Sequence, residues 1–80
     1  MEPPHPLIYR TLTIAAVRGA PEADHVEILC LPSARIFRLN REQPDFPQLL
    51  DRLHAAAATG RPVWLGFAHE RSDTIEDVLA

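Results

Sequence analysis

Four histidines and one cysteine are the residues of this chain most suited to holding a metal, and their spacing argues against it. His25 and Cys30 lie five apart in a stretch that reads as a strand, so they point to opposite faces, and no C-x-x-C, H-x-H or H-E-x-x-H pattern occurs. Cys30 reads as a small core residue, His54 as a helix-flank residue, and His25 and His69 as strand-end residues. Nucleophilic catalysis needs a Ser or Cys with a base and an orienting group; Ser33 and Ser72 fall in turn chemistry with no partner in view. The acids Glu70, Asp73, Glu76 and Asp77 read as a solvated end, and none of the three glycines belongs to a phosphate-binding pattern. No catalytic residue, metal or cofactor is assigned.

Two groups stand above this background. Arg10, Arg18, Arg35, Arg38 and Arg41, with Tyr9, lie in the first half of the chain, where arginine can meet phosphate and an aromatic can stack on a base. Within that group Tyr9, Arg10, Arg35 and Arg38 form the nucleic-acid candidate, although Glu22, Asp24 and Glu27 are interleaved with them. The second group is Trp64 with Phe67, on the most apolar stretch, PVWLGFAHE. Trp64 faces away from Val63, Leu65 and Phe67, so it is either covered by another element or exposed to a partner.

The elements that position these residues emerge from periodicity and turn signals. Residues 9–18 read as a strand with Leu12, Ile14 and Ala16 on one face and Tyr9, Thr11, Thr13 and Val17 on the other. Residues 19–24, GAPEAD, make a turn, and residues 25–31 a second strand with Val26, Ile28 and Cys30 inward and its far end, Leu29 and Leu31, covered as well. Pro32 and Ser33 break it, and residues 34–39 give a third strand with Phe37 and Leu39 inward. Residues 45–59 carry Phe46, Leu49, Leu50, Leu53, Ala56 and Ala57 at helical spacing. Asp45 and Gln48 suggest a capping box, Pro47 sits in the first turn, and Gly60 with Pro62 ends the helix. Residues 62–70 form a fourth strand with Val63, Leu65 and Phe67 inward. Residues 74–79 are expected as a fifth with Ile75 and Leu79 inward, the alternative being a short helix opened by a capping box at Asp73–Glu76 with Ile75, Val78 and Leu79 on one side.

The order β-β-β-α-β(-β) is that of a small α+β domain, and it resembles the OB-fold, whose helix lies between the third and fourth strands. That resemblance implies an OB-like or SH3-like antiparallel barrel, with an open sheet carrying one helix as the competitor. Residues 1–6 read as an N-terminal arm and residues 7–80 as one domain. At 46% hydrophobic and 24% charged the chain should fold, but a domain this small is marginal alone, which makes a second copy a natural partner. All eight basic residues are arginine, a pattern of genomic base composition rather than of function. Residues 1–41 hold five arginines against four acids and residues 42–80 three against seven, so an anion-binding surface is expected in the first half. The start lacks a secretory signal and no apolar run could span a bilayer, which places the chain in the cytoplasm, away from membranes. The expectation is a non-enzymatic binding or assembly module acting on a protein or a second copy of itself; the alternative is single-stranded nucleic acid.

Overall fold

The structure is a computed structural model that describes residues 6–19 and 22–79. The expected arm therefore lies outside the described residues except for Pro6, as do positions 20 and 21 of the expected turn. Five strands and one helix occur in chain order: β1 (Ile8–Gly19), β2 (His25–Leu31), β3 (Arg35–Asn40), α1 (Phe46–Thr59), β4 (Pro62–Phe67) and β5 (Asp77–Leu79). They form a small α+β domain with one five-stranded antiparallel sheet in the order β3-β2-β1-β4-β5. β1 is central because it is long enough to serve two neighbours, residues 8–13 pairing with β4 and residues 13–19 with β2.

One residue in β1 departs from strict alternation. Thr13 and Ile14 pair with Leu31 and Cys30, but Ala16 pairs with Leu29, so Ala15 is an extra residue in the ladder. Before it the even residues Leu12 and Ile14 face the core; after it Val17 does, opposite Ile28. The expected inward Ala16 and outward Val17 are thereby exchanged, as one unpaired residue must do to a period-two pattern.

The inward residues of β2, β3 and β4 are the expected ones: Val26, Ile28, Cys30, Phe37, Leu39, Val63, Leu65 and Phe67 are all buried. Leu31 is the exception to the expected cover on both sides of β2, being 43% exposed. The helix covers the inner side of the sheet, where Leu49, Leu53 and Ala56 enter the core and Phe46, Leu50 and Ala57 pack against it. Phe37 and Phe67 lie on strands separated by two others, yet their ring centroids are 4.9 Å apart. The sheet is therefore strongly curled.

The helix ends confirm one expectation and correct another. Gly60 adopts φ 69°, the left-handed cap, and its N–H reaches the Ala56 carbonyl at 2.9 Å. Asp45 makes no side-chain cap, because at φ −96° and ψ 17° its backbone is not in the extended region that turns a cap side chain back over the first turn. The capping box is absent, and Pro47 reduces the need for one by removing a donor.

After β4 the chain crosses to the far edge of the sheet. Thr74 bridges Arg38 in parallel, with Arg38 N–H donating to the Asp73 carbonyl and Ile75 N–H to the Arg38 carbonyl, both at 2.8 Å. One residue later Glu76 N–H donates to Gly66 of β4 at 2.7 Å. This change of partner resets the alternation, so Ile75 and Val78 are buried while Leu79, expected inward, is 44% exposed. The bulge gives the test of this architecture: deleting Ala15 should abolish the cooperative thermal transition in circular dichroism by turning Val17 outward. Ala15→Gly, at an exposed position, should cost only about 1 kcal/mol.

Candidate functional site

On the outer face of β4 and β5, register places Thr11, Trp64 and Leu79 in one cross-strand row and Tyr9, Gly66 and Asp77 in the next. Trp64 is outward because Val63 and Leu65 on either side are committed to the core. Trp64 is 50% exposed, beside the partly exposed Leu79 and Tyr9. Cover of Trp64 by the helix fails, since the helix lies on the opposite side of the sheet; cover by the N-terminal arm, the other element the sequence offers, lies outside the described residues. Phe67, grouped with Trp64 in the sequence, is fully buried against Phe37 and takes no part in this face.

The second row depends on a glycine. Tyr9 lies across Gly66 so that its hydroxyl donates to Asp77 Oδ2 at 2.7 Å. A Cβ at Gly66 would come within 2.9 Å of Tyr9 Cε1, 3.1 Å of Asp77 Cβ and 3.1 Å of Leu7 Cδ1. Asp77 also caps its own strand by accepting the Val78 N–H at 2.9 Å.

The nucleic-acid candidates are divided between two places, Arg10 and Arg35 at one end of the sheet and Arg38 on its outer face. Arg10 donates to the Glu70 carbonyl and lies 5.6 Å from the Phe67 ring centroid. Arg35 pairs with Asp73 at 2.7 Å and lies 4.9 Å from the Phe37 centroid. Both thus cover the Phe37–Phe67 pair at one end of the sheet and tether the segment after β4, each cation–π contact adding about 0.5–1 kcal/mol. Arg41 donates to the Ala23 carbonyl at 2.8 Å. Arg38 stays on the outer face in the cross-strand row Arg18–Glu27–Arg38, where register puts an acidic residue between the two arginines.

The remaining reactive groups have structural surroundings. Burial pushes the Cys30 thiol up to about 11, so at neutral pH it is a protonated core side chain. The hydrogen bond from His25, and then its charge, hold Asp24 below the usual 3.8, an effect present above that value and lost as pH falls. Of the acids, Asp73 is spent on Arg35 and Asp77 on Tyr9, and no cluster of three metal-ligating side chains occurs among the described residues.

Leu31 and Ile36, the latter 52% exposed, form a second outward apolar group, on β2 and β3. Sequence reasoning does not anticipate it, because Leu29 and Leu31 read as an end of β2 covered on both sides. Comparison with protein-family models, with curated proteins and with solved structures returned no match.

Tyr9 is the only tyrosine, which makes its contact with Asp77 measurable. The hydrogen bond to Asp77, then burial and the carboxylate's charge, raise its ionisation above the ordinary 10. Its contribution to folding is therefore complete below pH 10 and lost as pH rises through the raised value. Phenolate absorbance should show an inflection above 10 that moves back toward 10 in Asp77→Asn. Gly66→Ala should displace the ring and destabilise the fold by about 1–3 kcal/mol in denaturant titration.

Proposed function

We propose that this chain is a small non-enzymatic binding module of the cytoplasm that associates through the outer face of β4 and β5, with a second copy of itself as the partner. The observation that carries this reading is the half-exposed Trp64 beside Leu79 on a rigid strand pair. Tryptophan and tyrosine are the side chains enriched where interfaces form, and a domain of 80 residues gains stability by covering such a surface.

Magnitudes define how large the contact has to be. Covering the exposed half of an indole, on the order of 100 Å², contributes about 2.5 kcal/mol. Association costs about 4–15 kcal/mol in lost rigid-body freedom, so Trp64 has to act together with Leu79, Tyr9 and their neighbours. In a twofold contact each substitution counts twice. Trp64→Ala should therefore weaken self-association by about 5 kcal/mol, enough to turn a micromolar dimer into monomer in light scattering. A wild type that is monomeric at every accessible concentration would sink the self-association reading.

The architecture proposed behind this reading is OB-like, although the described sheet keeps β3 and β5 as its edges, with one bridge at Thr74 between β3 and the segment before β5. Its support is the element order, the antiparallel β1–β4 pairing and the parallel bridge between β3 and Thr74 just before β5. This connectivity favours one second reading, single-stranded nucleic acid on the outer face of β1, β2 and β3. Arg18 and Arg38 would meet phosphates there, in place of the engaged Arg10 and Arg35. Glu27 between them and the absence of an outward aromatic among the described residues of β2 and β3 place this reading second. Fluorescence anisotropy with a labelled oligonucleotide at low salt decides it: affinity falling steeply with added salt supports it, and no binding removes it.

A further inference from the structure

We propose that the groove between the C-terminal half of α1 and the start of β4 binds a small apolar carboxylic acid. This goes beyond the association reading and uses different residues. The groove has a volume of about 270 Å³. Its walls are Ala55 and Ala56 of α1 and Pro62 and Val63 of β4, all apolar, with Thr59 at one end. Arg52 and Arg61 are the charged residues that line it, and no acidic side chain does. An apolar trough flanked by two cations calls for a ligand that is apolar along its length and anionic at its head.

Each polar group around the groove supports that choice. Arg52 Nη1 donates to the Val78 carbonyl at 2.9 Å, which fixes the side chain and leaves four of the five N–H donors a guanidinium carries for a ligand. The Arg61 side chain has no partner among the described residues. Thr59 Oγ1 is already engaged, donating to the Ala56 carbonyl at 3.3 Å and accepting the Arg61 N–H at 3.4 Å. The C-terminus of a helix carries about half a negative charge, which by itself repels an anion, but two full positive charges outweigh it. The Ala56 carbonyl is moreover answered twice, by Thr59 and by the Gly60 N–H at 2.9 Å.

The head group proposed is a carboxylate, the smaller of the two anions that a guanidinium pairs with bidentately, and a nucleotide is disfavoured because the walls offer no donors for a base or sugar. Guanidinium binds carboxylate through paired hydrogen bonds, and here the rest of the ligand would lie on methyl and methylene groups with no further donors. The tail is bounded by volume. A trough of about 270 Å³ with four apolar wall residues suits a short alkyl chain, on the order of six to eight carbons. The sequence led away from this site: residues 42–80 carry a net charge of −4, yet two of their three arginines meet at this groove.

The test is a titration of the isotopically labelled protein followed through amide NMR shifts, with octanoate below its micelle concentration, 1-octanol and inorganic phosphate in separate arms. Octanoate should give saturable shifts centred on Ala55, Ala56, Thr59, Arg61 and Val63, with octanol at least about tenfold weaker and phosphate silent there. Arg61→Ala should weaken octanoate about tenfold, and Ala55→Trp, at an exposed position that folding tolerates, should block the groove. Equal affinity for octanol and octanoate, equal shifts with phosphate, an unaffected Arg61→Ala protein, or no saturable shift at these amides would each overturn the proposal. None of these outcomes depends on the oligomeric state, so this proposal and the Trp64 reading fail or stand separately.

Discussion

The contact between Phe37 and Phe67 is the constraint on which the rest of the structure depends. In a flat sheet the strands bearing them would lie about 14 Å apart, three steps of nearly 5 Å. Bringing the rings to 4.9 Å requires the sheet to curl around them, and the curl determines both its edges and its faces. It places the β3 edge within reach of the segment after β4, so that a single bridge at Thr74 can be made. It leaves an open end at which Arg10 and Arg35 lie over the two rings. It also turns a convex face outward, on which Trp64, Leu79, Leu31 and Ile36 are displayed.

Arginine accordingly has two separate roles in this chain. Near the aromatic pair it is structural: the guanidinium planes cover apolar rings while their hydrogen bonds hold the β4–β5 segment. Elsewhere it lines surfaces, at the Arg18–Glu27–Arg38 row and at the groove beside α1. A reading by net charge alone merges these roles. The positive half of the chain spends much of its charge internally, while the negative half keeps a local cationic spot.

Periodicity and turn chemistry made most of the fold legible. The strands β2 and β4, the apolar stripe of α1 and the Gly60 cap are where alternation, helical spacing and punctuation indicate them. The failures have specific physical origins. Ala15 is invisible as a bulge because β1 is apolar or β-branched on both sides of it, so either phase of the strand is plausible. The last strand misled because the chain changes partners between Ile75 and Glu76, which no local pattern records. The exposure of Trp64 was undecidable from sequence because it depends on which side of the sheet the helix covers. The engagement of Arg10 and Arg35 depends on residues 60 and 38 positions away, Glu70 and Asp73, reached only through the completed sheet.

The bridge from β3 to the segment before β5 has a consequence for the order in which the chain can become stable. Ile75 and Val78 are both fully buried, yet they join partners in the middle of the chain across long sequence separations, and such contacts close late. A chain synthesised only as far as Phe67 would have β1 to β4 in hand but an open β3 edge and an unfilled core. Until residues 75–78 are available, such a four-stranded intermediate would keep an uncovered β3 edge and an incompletely filled core, which is the exposed apolar surface that makes partly folded chains adhesive.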